Sequence, residues 1–560
     1  MKGVLQRWGL PFLTLFTFFC LLGSRALNEP DEGRYAEIAR EMLETGNWLV
    51  PHLWYLPHLD KPPLTYWLVA ASMDLFGRNE WAVRLPLALA GISGVWAAFR
   101  LGNSMGGRRV GTWSALILQS SLLYFVMARM LTTDIFLTQF IAWAIYFFWR
   151  SWLALKNQES AGREFLPWHL AGWVAVALAF LVKGPIALAI PMVAFAVLMI
   201  VRWRGIQRRK LLIAGWLGGL ALFFVLVAPW FLEVFRCEPG SAHYMILGQA
   251  AGHFLGTTIK NRTGSPFYFF GILAIGLLPW TILLGLLWRR SESARDERLL
   301  LNTWAVFTFV LFSCSHAKLP AYILPIFPAL AVLIALKFFG GKSAKNPAPK
   351  ISWRICAGSA LLLPAVFPVL LKVAFKDEMP EWLIWQTPVC AGVIVVIFFR
   401  ARKWEMQTAA AAAVGLSLLG FFIVVAEIPP FQNTLRANQT LRPLGRELAK
   451  DVQPEDALVC WGKFPEGLPF YADGAISATH RPYLGDMDLA QMPFDFPGNR
   501  EELGELLLPD ENALAQLLQG GQKVWVVGFG NTIESFERSH GATPLHLVSR
   551  VGQWELFVNR

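Results

Sequence analysis

The sequence predicts a mainly helical, polytopic membrane protein that carries a small soluble α/β domain at its C-terminal end. Three observations predict it. Hydrophobic residues make up 55% of the 560 positions and charged residues only 16%, with 25 tryptophans, a balance too apolar for a soluble multidomain chain. Apolar windows of about 17 to 25 residues recur along most of the chain, each long enough to cross a bilayer. From residue 428 onward the pattern changes to short strand-like runs alternating with amphipathic helical ones. The net charge of +11 would suit nucleic acid, but Lys and Arg gather in short clusters between apolar runs. The basic balance is therefore read as topology, and no nucleic-acid partner is expected.

The chain opens with "MKGVLQRWGLPFLTLFTFFCLLGSRALNEP", a basic start followed by an apolar run. The run from Trp8 to Leu22 is long for a secretory h-region and "SRA" is a poor cleavage site, so it is read as an uncleaved span over 8–27. Further spans are expected at 80–101, 110–127, 131–152, 168–183, 186–203, 211–234, 266–289, 299–315, 320–339, 352–374, 382–400 and 408–427. That makes thirteen, two of them parted only by Lys183-Gly184-Pro185. The connections "NSMGGRR", "RWRGIQRRK", "RRSESARDER", "GGKSAKNPAPK" and "RARKWE" are all basic and fall on the side of Lys2 and Arg7, which marks that side as cytoplasmic.

The opposite side, periplasmic if this is the inner membrane of a Gram-negative bacterium, receives the long loops 28–79 and 235–265 and everything after Glu427. Residues 1–427 are thus expected to form the membrane domain and 428–560 the soluble one. In the latter, "DALVCWG", "KVWVVGFG" and "WELFVNR" read as strands, and "LRPLGRELAKDV" and "ENALAQLLQGG" as helices. The six cysteines are scattered, without the spacing of a disulfide framework or a metal site.

The residues that could carry chemistry collect on the outer side. In "NEPDEGRYAEIAREM", Pro30 ends the preceding helix, Asp31 is placed to cap the next one and Glu32 follows in its first turn. Tyr35, Ile38 and Met42 share one stripe of that helix and Arg34, Glu37 and Glu41 another, the pattern of an amphipathic helix on a membrane surface. Asp31 as a mere cap with solvated glutamates is the competing account. In "HLDKPPLTYWL", Pro62 and Pro63 hold Lys61 in an extended segment, where it reads as a phosphate ligand or as a snorkelling anchor.

Asp134, at the outer edge of an apolar span, is either a site acid or a capping residue. Arg262 precedes another apolar helix, and His316, Lys318 and Tyr322 lie at a turn between spans. Together Asp31, Lys61, Asp134, Arg262, Lys318 and Tyr322 suit a lipid phosphate: the cations neutralise it, Tyr donates to it, and carboxylates activate an acceptor or stabilise an oxocarbenium-like sugar. A divalent ion could bridge carboxylate and phosphate, but no dense ligand cluster requires one. Metal and cofactor stay open, and His253 and His316 read equally well as interfacial residues.

These residues sit in "EPDEGRYAEIAREMLETGNWLVPHL", "DKPPLTYW", "LTTDIF", "VKG", "NRTGSPFYFF" and "KLPAYILP". In order and approximate spacing these motifs resemble those of the bacterial aminoarabinose (4-amino-4-deoxy-L-arabinose) lipid A transferases, members of the protein-mannosyltransferase-like GT-C glycosyltransferases. The resemblance covers residues 1 to about 335 and fades beyond. It implies an inverting transferase that moves a sugar from a polyprenyl (undecaprenyl) phosphate to lipid A at the periplasmic face. It also implies Asp31 and Asp134 as catalytic acids, with Lys61, Arg262 and Tyr322 on the donor phosphate and Glu32, Arg34 and Lys318 in support.

Two departures bear on the sugar and the acceptor. An expected Glu-Lys-Pro reads Asp60-Lys61-Pro62, and an expected Glu-His-x-x-Arg-Phe reads "QAAGHF", with Gln249, Ala250, His253 and Phe254. A relative that glycosylates a protein or another glycan, and a transporter of lipid-linked sugars, are the alternatives. Inverted repeats, which transporters tend to show, are not evident in the sequence.

Overall fold

The computed structural model describes residues 2–157, 161–206, 208–252, 264–287, 295–340, 411–418, 440–487, 496–541 and 545–560. The spans expected at 352–374 and 382–400, most of that at 408–427, and Arg262 and His253 lie outside them. The chain divides into two compact units. One, the helical unit, gathers residues 1–22, 85–231 and 246–428; the other, the sheet unit, gathers 23–84, 232–245 and 429–560.

In the helical unit the apolar windows become helices: α1 (Lys2–Phe19), α5 (Arg108–Gln119), α6 (Leu122–Met127), α7 (Asp134–Lys156), α8 (Ala161–Lys183) and α9 (Ile186–Arg202). The helices α11 (Tyr268–Gly276), α12 (Thr281–Leu287), α13 (Arg295–Cys314) and α14 (Phe327–Phe339) follow. Two long helices, α4 (Glu80–Gly106) and α10 (Arg209–Cys237), run from one set of residues into the other. Among the described residues, six helices are long and apolar enough to cross a membrane. On α9 and α10, Ile200, Leu217, Val225 and Leu232 are more than half exposed. Such a band of large apolar side chains is stable only against lipid or protein.

Three expected spans differ in detail. The first ends at Phe19 rather than 27, because the buried Arg129 guanidinium donates to the carbonyls of Thr17, Phe18 and Cys20 and so terminates α1. The spans at 110–127 and 266–289 are each broken into two helices, and the breaks meet. There the Leu122 amide donates to the Leu278 carbonyl at 3.3 Å and the Trp280 indole to Ser120 Oγ at 3.1 Å. Where water is scarce, one interruption satisfies the polar groups of the other.

Besides a short antiparallel pair, β1 (His52–Leu53) and β2 (Leu56–Pro57), the sheet unit holds a five-stranded sheet of order β4-β3-β5-β7-β6, with β3 (Ala457–Trp461), β4 (Tyr483–Gly485), β5 (Val524–Phe529), β6 (His546–Val551) and β7 (Trp554–Val558). β3 pairs parallel with β4 and β5, whereas β7 pairs antiparallel with β5 and β6. Val459, Trp461, Val526, Leu514, Leu518, Ile533 and Phe536 form its core. The three strands and two helices expected from sequence are present as β3, β5, β7, Arg442–Asp451 and Glu511–Gln519. β4 and β6 are additions: β4 spans only three residues, and β6 is largely exposed, so neither has the apolar alternation that marks a strand.

The same unit contains α2 (Asp31–Thr45) and α3 (Leu64–Phe76), which pack together. The sequence reading laid α2 on a membrane surface, with solvated Glu37 and Glu41 as the competing account. Instead Glu37, Arg40 and Glu41 are buried along with Tyr35, Ile38 and Met42. The reason is charge pairing: Arg40 bonds Glu37 at 2.7 Å, and Glu41 accepts the amides of Trp54 and Tyr55 at 2.6 and 2.9 Å. Those two residues both have positive φ, and their paired amides form a small anion cradle that the carboxylate fills.

Candidate active site

The start of α2 carries the first group of site residues. Pro30 occupies the cap position, so Asp31 is the first helical residue and not the cap that the spacing suggested. Its carboxylate makes no hydrogen bond or ion pair among the described residues, while its neighbours are fully engaged. Glu32 is completely buried between Arg25 and Arg84, accepting at 2.9 Å from Arg25 Nη2 and at 3.1 Å from Arg84, and it also takes the Asn28 amide. Burial alone would raise the Glu32 carboxyl, but the two guanidiniums outweigh it and hold it far below the usual carboxylate range.

Arg34 is gripped through Nε and Nη2 by the carboxylate of Glu466, a residue more than four hundred positions away, with Nη2 at 2.9 Å from Oε1. Gly33 explains how the two segments approach. A Cβ at Gly33 would stand 2.9 Å from the Cα of Gly467, and one at Gly467 only 2.6 Å from the Cα of Gly33. The Gly467 amide donates to both oxygens of Glu29, whose carboxyl is pushed up by burial and by the charge of Glu466. Asp31 and Asp60 also act electrostatically on Glu466.

Lys61 lies just before α3 and donates to its neighbouring Asp60 carbonyl at 3.0 Å. The Asp60 carboxylate accepts from the Tyr244 hydroxyl at 2.5 Å and faces His58 Nε2 at 3.8 Å. Burial would raise this carboxyl, but His58, Lys61 and the Tyr244 hydrogen bond together hold it below its ordinary value. Tyr66, which the sequence placed in an interfacial belt, is buried and stacks on Tyr35 with ring centroids 5.4 Å apart.

A second group lies in the helical unit. Asp134 opens α7, and its carboxylate accepts from Lys183 Nζ at 2.5 Å, with both side chains largely buried. Lys183 ends α8 where Gly184 takes φ +71, a left-handed turn that favours glycine and separates α8 from α9. The same ammonium stands 4.5 Å over the Tyr322 ring. Lys318 points its three donors at the carbonyls of Phe312, Ser313 and Ser315, at 2.9, 2.6 and 2.5 Å, and so closes the C-terminal end of α13.

Of the residues singled out from sequence, Asp31, Glu32, Arg34 and Lys61 fall in the sheet unit, and Asp134, Lys318 and Tyr322 in the helical unit. Arg262 lies outside the described residues. Sequence reasoning missed Lys183, Glu466 and Tyr244. Lys183 had a legible signal, an ionisable residue at the break of two apolar spans. Glu466, in "GKFPEGLPF", had none, because only the folded chain brings it to α2. Among the described residues no three His, Cys, Asp or Glu side chains converge as metal ligands.

The fold and the two charged clusters define a class, a polytopic membrane protein with ionisable residues buried in both of its units. A family profile described as dolichyl-phosphate-mannose-protein mannosyltransferase matches residues 60–232. The undecaprenyl phosphate-alpha-4-amino-4-deoxy-L-arabinose arabinosyl transferase of Erwinia tasmaniensis is 34% identical over 446 residues, 75% of this chain and 76% of that protein. Its counterpart from Aeromonas hydrophila is 30% identical over 481 residues, 82% and 84% of the two chains. The crystal structure of ArnT from Cupriavidus metallidurans bound to undecaprenyl phosphate shares the fold, with a TM-score of 0.80 at 24% identity, over 98% of this chain and 97% of that one. The chain belongs to the family of undecaprenyl phosphate-alpha-4-amino-4-deoxy-L-arabinose arabinosyl transferases.

Proposed function

We propose that this chain transfers 4-amino-4-deoxy-L-arabinose from undecaprenyl phosphate to lipid A at the periplasmic face of a bacterial inner membrane. In this reading the chain crosses the membrane thirteen times, its N-terminus is cytoplasmic, and residues 428–560 are a periplasmic domain. Family membership carries the reaction class, and the carboxylate of Asp31, unpaired among the described residues beside engaged neighbours, carries the site.

Asp31 acts as the general base. It takes the proton from the acceptor oxygen as that oxygen attacks the anomeric carbon, and the bond to the donor phosphate breaks on the opposite face, which inverts the configuration. Lys61 and Tyr322 stabilise the departing phosphate, and Arg262 has the same role on the resemblance alone. Asp134 is the second acid, and Lys183 pairs with it and positions it. Lys318 and Glu32 support the site by holding backbone in place, one closing a helix and the other tying α2 to Arg25 and Arg84.

Arg34 sits three residues after Asp31 on the same helix, a spacing at which Asp and Arg pair readily. By taking Nε and Nη2 of its guanidinium, Glu466 offsets the charge that Arg34 presents to Asp31. The test is transfer in reconstituted membranes with a radiolabelled polyprenyl-phosphate sugar, wild type against Asp31→Asn. Undiminished transfer by the variant would overturn the assignment. The departures at Asp60 and "QAAGHF" favour, as a second reading, a different acceptor such as a protein or another glycan. An unchanged lipid A mass spectrum in cells with and without the gene would select it.

A further inference from the structure

Helix α7 carries a second charged group at the end remote from Asp134. Roughly 24 Å of helix rise separates Asp134 from Arg150. There a cavity of about 410 Å³ opens between α4, α7 and α8, lined by Arg100, Tyr146, Arg150, Asn103, Asn157 and Glu164 among others. The basic connections at 103–109 and 202–210 mark this end as cytoplasmic.

Two guanidiniums share one oxygen in this cavity. Arg100 donates to the Tyr146 hydroxyl from Nε at 3.2 Å and from Nη2 at 2.9 Å, and Arg150 donates to it from Nη1 at 3.3 Å. Arg150 also lies 4.5 Å over the Trp168 ring, and Arg100 5.5 Å over that of Tyr146. Neither has a carboxylate within ion-pair distance among the described residues. A single phenol oxygen therefore holds two like charges close together, in fixed directions, beside an open space with amide donors on its wall. That arrangement is repulsive as it stands, and an oxyanion bridging both guanidiniums would relieve it.

We propose that this cavity binds the phosphate of an anionic phospholipid headgroup from the cytoplasmic leaflet. The chemistry is that of any phosphate, but the place selects the lipid: basic pockets between spans at the cytoplasmic face meet headgroup phosphates, and the volume admits a headgroup. The site is separate from the donor site, because it lies at the other end of α7 and uses none of the residues assigned to transfer. Its role is to pin the α4–α7–α8 end to the leaflet.

The test uses the full-length protein, delipidated in detergent and titrated with phosphatidylglycerol, phosphatidylcholine or inorganic phosphate, and read by native mass spectrometry and thermal unfolding. Phosphatidylglycerol is expected to form a one-to-one adduct and raise the unfolding temperature, as a ligand specific for the folded state must. The double substitution Arg100→Gln with Arg150→Gln is expected to weaken that adduct at least about tenfold. Tyr146→Phe, which keeps both charges and removes the shared oxygen, is expected to weaken it severalfold and serves where the double variant does not fold. Wild-type affinity in either variant, or equal binding of phosphatidylcholine, overturns the site. Saturation by inorganic phosphate as tight as that by phosphatidylglycerol overturns the lipid assignment.

Discussion

The candidate-site charges of the two units are held in opposite ways. In the helical unit the site acid is isolated: Asp134 meets one base, Lys183, beside one aromatic ring. In the sheet unit buried charges form continuous networks: Arg25–Glu32–Arg84, Glu37–Arg40–Glu44 and Arg34–Glu466 all lie in or against α2. The difference teaches how to read an acid in each setting. Against an apolar background an ionisable residue marks a site, because nothing else would retain it. Within a network most acids are architectural, and the informative one is the carboxylate left without a partner.

Asp31 and Glu32 make that comparison between adjacent residues. Asp31→Asn is expected to lower the transfer rate by about 10²–10⁴-fold, the usual worth of general base catalysis, with the unfolding transition unchanged. A rate loss accompanied by unfolding would place Asp31 with the architectural acids. Glu32→Gln is expected to do the reverse, destabilising the folded protein by about 3–5 kcal/mol because two buried guanidiniums lose their counter-charge. Its pH dependence has a definite sign. The folded Glu32 carboxyl lies far below its ordinary value of 4.5, so its stabilisation is complete above that value and fades as pH falls below it. Denaturant unfolding from pH 7 to pH 3 should show wild type losing stability in acid and Glu32→Gln losing less.

The isolated pair offers a sharper contrast. Lys183→Met leaves a buried carboxylate uncompensated and is expected to destabilise the protein by about 3 kcal/mol, whereas Lys183→Met with Asp134→Leu should recover most of the loss, read by thermal unfolding. Transfer should stay low in both, and recovery of activity in the double variant would reduce the pair to a structural element. Gly33→Ala is expected to cost about 1–3 kcal/mol, since its Cβ meets both the buried carboxyl of Glu29 and the backbone of Gly467. The smallest effect is expected from Glu466→Ala, about tenfold in kcat, as Arg34 turns to pair with Asp31. Replacing Arg34 as well, by Met, should restore part of that loss, and a further fall would show that Arg34 itself contacts substrate.

The sequence by itself determined the class of protein, the places where most described helices run, and three of the five strands. Periodicity and apolar length are local properties, and local properties survive in a linear reading. It also marked Asp31, Lys61, Asp134 and Tyr322, because ionisable and aromatic residues beside apolar runs stand out where they occur. Only the tertiary structure decided which acids are engaged. Nothing in "NEPDEGRYAEIAREM" tells Asp31 from Glu32; the distinction comes from Arg84 of a later helix and from Glu466 near the far end of the chain. The breaks in α5–α6 and α11–α12 were likewise hidden, since each exists through polar groups that the other supplies. Ion pairing acts over a few ångströms of space and is indifferent to distance along the chain, so only folding reveals it.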